Sequence, residues 1–103
     1  MAEFLIELYV AEADDDAVRR SGRNVIRAAK QMTLEGTPVR FLRSIFIPED
    51  ETCFLMLEAA AIDAVRIVAG RAAVQFERIT RAVVAPIDDP ATPITREPDE
   101  RPE

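Results

Sequence analysis

Apolar and polar residues alternate imperfectly over Glu3–Val10, "EFLIELYV". Phe4, Ile6, Leu8 and Val10 form a wholly apolar set, whereas Glu3, Leu5, Glu7 and Tyr9 form a mixed one. Period-two patterning of this kind predicts a strand whose first set faces a core. Asp14-Asp15-Asp16 then opens a stretch, running to about Leu34, in which Val18, Gly22, Val25, Ala29 and Met32 recur on one helical stripe. The aspartates suit the unpaired N–H groups and positive dipole end of a helix start, and Glu35-Gly36 supplies the stop. A mid-helix glycine costs up to about 1 kcal/mol relative to alanine. Gly22 therefore predicts either a close approach of helix to sheet or a helix that begins later, capped by Ser21 or Asn24.

The stretch Pro38–Ile47, "PVRFLRSIFI", predicts a second strand, and Thr52–Ala59, "TCFLMLEA", a third. Only Pro48-Glu49-Asp50-Glu51 separates them, a length that suits a hairpin loop and hence antiparallel pairing. Proline, lacking an N–H, ends the ladder, and Asp50 suits hydrogen bonding within the turn. A second helix is predicted over Ala60 to about Ala73, with Val65, Val68, Ala69 and Ala72 on one face. Phe76–Val84, "FERITRAVV", predicts a fourth strand with weaker alternation.

The order strand–helix–strand–strand–helix–strand is that of the ferredoxin-like α+β fold: a four-stranded antiparallel sheet with two helices on one face, strand order 4-1-3-2. Residues 1–85 form this domain. The sets Phe4, Ile6, Leu8, Val10 and Cys53, Leu55, Leu57, Ala59 belong under the helices. Alternation then puts Leu5, Glu7, Tyr9, Phe54, Met56 and Glu58 on the other face. With Leu42 and Phe46 directed to the helices, Phe41, Arg43, Ile45 and Ile47 join them. Monomers seldom leave so apolar a surface in water. A homodimer with the two helix-free faces packed together, like the sheets of a dimeric α+β barrel, is expected. It would enclose either a dry interface, in which Arg43 pairs with Glu7 or Glu58, or a cavity lined by Tyr9, Phe41, Phe54 and Met56.

Composition narrows the functional classes. The chain has 103 residues and a formal net charge of -6, which argues against nucleic acid and anionic membranes as partners. No apolar run nears the roughly 20 residues of a membrane span, and Met1-Ala2-Glu3-Phe4 does not begin as a signal peptide does, so a cytoplasmic location is expected. A single cysteine excludes an intrachain disulfide, and the absence of histidine removes the commonest general base and metal ligand. From Pro86 to Glu103 the chain holds five of its seven prolines, with six acidic and two basic residues. Such a segment does not form a core of its own and is expected to be mobile, or else to lie across a dimer partner.

Candidate chemistry is sparse. Glu49-Asp50-Glu51 and Asp14–Asp16 could in principle hold a hard cation, but neither has a calcium-loop spacing, and turn and cap roles account for them. Cys53 lies on an apolar set with no basic neighbour to activate it. Ser44 and Thr52 lack an evident base, and no phosphate loop, dinucleotide fingerprint or zinc spacing occurs. No catalytic residue, metal ligand or cofactor is assigned. The remaining constellation is Glu7, Tyr9, Phe41, Arg43, Phe54, Met56 and Glu58, which could bind a small polar molecule; Arg78 and Arg81 could extend it. The leading expectation is a non-catalytic ligand-binding or accessory protein. The alternative is a cofactor-independent enzyme, with Glu7 or Glu58 made a proton-transfer group by burial.

In "LRSIFIPEDETCFLMLEA", "MAEFLIELYV" and "DAVRIVAGRAAVQFERITRAV", spread over most of residues 1–85, the chain resembles a family of small bacterial proteins of unknown function. A dimeric, ferredoxin-like nickel-binding protein is among its described members. The resemblance implies a ferredoxin-like dimer. It does not carry the nickel site, which in that family depends on histidine; a metal protein that has exchanged histidine for carboxylates is the further alternative. Likeness to dimeric α+β-barrel monooxygenases and isomerases is one of architecture alone.

Overall fold

Two strands make the middle of the molecule. In the computed structural model, which describes residues 1–83, β1 (Ala2–Tyr9) pairs antiparallel with β3 (Thr52–Ala59), Ile6 opposite Leu55 and Phe4 opposite Leu57. The segment 86–103 lies outside the described residues. Strand β2 (Val39–Ile47) adds to the free side of β3 and β4 (Arg78–Ala82) to that of β1, giving the order β2-β3-β1-β4 with every pairing antiparallel. Helices α1 (Asp15–Leu34) and α2 (Ile62–Arg71) complete the ferredoxin-like βαββαβ fold.

The core follows from the alternation. Phe4, Ile6 and Leu8 of β1, and Cys53, Leu55, Leu57 and Ala59 of β3, are buried against Val25, Ala28, Ala29 and Met32 of α1 and Val65, Val68 and Ala69 of α2. Burying a Leu, Ile or Phe side chain fully is worth roughly 1.5–3 kcal/mol, so these strands anchor the fold more firmly than any surface ion pair does.

The helix ends obey local rules. Asp14 caps α1, its Oδ1 accepting from the Ala17 N–H at 3.1 Å. At the other end Gly36 adopts φ +103°, and the Thr37 and Gly36 N–H groups bond back to the Met32 and Thr33 carbonyls, a left-handed stop. Thr33 Oγ1 ties this end to β2, accepting from the Val39 N–H at 3.1 Å and offering its single proton to the Ala29 carbonyl at 2.9 Å or the Val39 carbonyl at 3.0 Å. Helix α2 closes the same way on Ala73, at φ 56°, a conformation that strains alanine.

Three expectations are corrected. Gly22 lies inside a helix that begins at Asp15, and a Cβ there would meet nothing within 4 Å, so neither a late start nor a close approach explains it. Phe41 does not reach the helix-free face. The pairing of β2 with β3 slips by one residue at Leu42, so that Phe41 opposes Leu57 and Arg43 opposes Met56. This bulge reverses the alternation, and Phe41 packs onto the core under the helices. Last, β4 is short, and Arg81 opposes Phe4 on the helix side, away from Arg78.

Glycine substitutions test the local account. Gly22→Ala, with free space and a helical backbone, is expected to stabilise by about 0.5–1 kcal/mol. Gly36→Ala, forced into a left-handed conformation, is expected to destabilise by about 1 kcal/mol. Thermal unfolding of both variants should show midpoints moving in opposite directions.

Candidate functional site

The helix-free face is a grid fixed by strand register. Across its middle run Ile45–Phe54–Glu7–Arg78 and Arg43–Met56–Leu5–Thr80; Arg40–Glu58–Glu3–Ala82 closes one end and Ile47–Thr52–Tyr9 the other. Six of the seven residues picked out from the sequence therefore share this face: Glu7, Tyr9, Arg43, Phe54, Met56 and Glu58. Phe41, on the opposite side, does not belong to it. The centre of the grid is apolar, with Leu5 and Phe54 half-buried, Met56 buried and Ile45 43% exposed.

Both carboxylates of the site are taken. Arg78 Nε donates to Glu7 Oε1 at 2.8 Å, and Arg40 Nε and Nη2 donate to Glu58 Oε1 at 3.2 and 3.1 Å. Within the chain, Arg43 pairs with neither. Arg43 stands opposite Met56 with its Nη1 3.8 Å from the Met56 sulfur, and among the described residues no ion pair includes it. Arg40 was not foreseen here. Its position three residues before Arg43 puts both on one face only because the bulge absorbs Leu42, a feature that strict alternation cannot reveal.

The hairpin acids have a structural task. Pro48–Asp50 form a 3-10 turn and Glu51 turns left-handed at φ 51°; Asp50 takes part through its backbone carbonyl, which accepts from Thr52 Oγ1 at 2.8 Å. The Glu51 carboxylate accepts from Tyr9 Oη at 3.2 Å and from the Glu12 N–H at 2.9 Å. The Val10 N–H also donates to the Glu51 carbonyl. Glu51 thus holds the turn after β1, where Glu12 and Ala13 adopt φ of 58° and 53°, backbone states that persist only when surroundings fix them. Tyr9, 59% exposed, is drawn to this clamp at the rim rather than toward the centre of the face.

Burial raises the pKa of the Cys53 thiol, which lies in the core and away from the face. Among the described residues no three acidic or cysteine side chains converge as a metal-binding set, and no helix there is long and apolar enough to cross a membrane.

No family model and no curated protein matches the chain. A solved structure that does resemble it is the crystal structure of SCO4226 from Streptomyces coelicolor A3(2), with a TM-score of 0.66 and 17% sequence identity. The two chains share a fold. The match covers 82% of this chain and 100% of the other, so the domain is common to both. At that identity it carries no residue of a site from one to the other.

The clamp has a spectroscopic signature, because Tyr9 is the single tyrosine of a chain without tryptophan. Its hydrogen bond to the Glu51 carboxylate, then the charge of that carboxylate, raises the phenol above its ordinary 10.0. The bond therefore contributes to stability below pH 10 and ceases to do so as pH climbs through the raised folded-state value. Absorbance titration of the phenolate should give a midpoint above 10, and Glu51→Gln should lower it.

Proposed function

We propose that the protein is a non-catalytic binding or accessory protein that works as a homodimer, two copies meeting through their helix-free faces. One observation carries this reading: Leu5, Ile45, Phe54 and Met56 form an apolar centre on a sheet face that neither α1 nor α2 covers, with the Glu7–Arg78 and Glu58–Arg40 ion pairs around it. An apolar centre inside a polar rim is the usual anatomy of a protein interface. Sheets packed face to face sit about 10 Å apart, which leaves room for interdigitated side chains or a small ligand. The ligand-binding residues of this reading are Glu7, Tyr9, Arg43, Phe54, Met56 and Glu58.

The pairing of Glu7 with Arg78 and of Glu58 with Arg40 favours this over an enzyme. A general base must reach the proton that it removes, and each carboxylate is bonded instead to a guanidinium of its own sheet. Such exposed pairs contribute little to stability, about 0–1 kcal/mol; their effect is to orient the rim.

Native mass spectrometry of the full-length protein purified from its own host reads stoichiometry and retained ligand together. A two-chain species, with or without a small molecule, is expected; a single chain would overturn the dimer. Ile45→Glu removes an apolar side chain twice from a symmetric interface, each worth roughly 1.5–3 kcal/mol. It should weaken association by about 100-fold or more. Ile67→Glu, at a 48% exposed position on α2, is the control and should leave assembly unchanged.

A further inference from the structure

Helix α1 carries a second unfilled surface on its solvent side. Arg20, Arg23, Arg27 and Lys30 recur at spacings of three and four residues, which places them on one exposed ridge. Among the described residues none of the four forms an ion pair with a carboxylate. Unpaired cations on a chain of net charge -6 are the reverse of what overall composition predicts. Beside the ridge runs a groove of about 650 Å³ between α1 and the start of β2, with Ile26, Lys30, Leu34, Val39 and Phe41 along it and Met1 at its end. The lining is mostly apolar, and Leu34 and Met1 are 89% and 66% exposed, so among the described residues nothing covers them. The bulge at Leu42 is what supplies Phe41 to it.

We propose that the acidic, proline-rich segment 86–103 of the same chain lies along this groove. In this arrangement its carboxylates face Arg23, Arg27 and Lys30, and Ile87 or Ile94 sits against Ile26, Leu34 and Phe41. Three observations single out this occupant. The segment holds six of the nineteen acidic residues of the chain, together with two isoleucines set among prolines. Its point of departure is close, for Ala82 of β4 pairs with Glu3, beside the Met1 that closes the groove. Its length is sufficient: β4 and β2 are separated by three strand spacings, roughly 14 Å, and an extended proline-rich chain advances about 3.1 Å per residue. Prolines also lower the ordering cost of docking, since a fixed φ leaves less conformational freedom to lose. The groove lies on the helix side of the sheet, so this inference does not depend on the homodimer.

A nitroxide placed by Ala91→Cys in the full chain tests it, because Cys53 is buried and escapes labelling. Amide signals of Ile26, Lys30, Leu34, Val39 and Phe41 should be lost, and those of the helix-free face retained. The loss should vanish at about 1 M salt, where the screening length falls to about 3 Å. It should vanish likewise in the Arg23→Glu, Arg27→Glu, Lys30→Glu variant. Asp88→Asn with Asp89→Asn, which leaves the folded domain untouched, should weaken it. Signal loss elsewhere, loss indifferent to salt and to these variants, or loss seen only between differently labelled chains overturns the proposal.

Discussion

The pairing of β1 with β3 is the interaction on which the rest of the molecule depends. Phe4 against Leu57, Ile6 against Leu55 and Leu8 against Cys53 put six side chains on one side of two strands. Both helices pack there, and their own apolar stripes escape water against it. The same register sends Leu5, Phe54 and Met56 to the other side. A strand cannot bury one set without turning out the other, so the register that builds the core also fixes which residues line the second face, and there the sequence supplies Leu5, Phe54 and Met56.

Two local devices decide what that face looks like. The bulge at Leu42 lets β2 give Val39 and Phe41 to the helices at one end and Arg43 and Ile45 to the opposite face beyond it. Without it, Arg40 and Arg43 could not stand together at the margin. The Glu51 clamp fixes the other end, joining the hairpin of β2 and β3 to the turn after β1. Between the bulge and the clamp, the face is a grid fixed by register, with Glu7 held by Arg78 and Glu58 by Arg40.

Much of this could be read before the structure, and for identifiable reasons. In β1 and β3 every second residue belongs to a wholly apolar set, and the hairpin has a short loop that starts with proline, so element order and topology followed. What could not be read depended on single residues that break a period. "RFLR" looks like part of an unbroken strand, yet Leu42 is absorbed by the bulge and Phe41 changes sides. Gly22 looks like an interruption, yet the helix passes through it. The partners of Glu7 and Glu58 come from β4 and from the far end of β2, pairings that only register can assign. The cationic ridge of α1 rests on the spacing of four residues, which a net charge of -6 for the whole chain conceals.

What covers the apolar grid decides how the protein works. The most direct measurement is an isotope-filtered nuclear Overhauser experiment on a mixture of labelled and unlabelled chains. Contacts between chains are predicted from the side chains of Leu5, Ile45, Phe54 and Met56, and none from Ile6, Leu55 or Val65. If every contact made by those four side chains arises within a single chain, the second face is simply exposed to water, and the dimer with its enclosed site is contradicted.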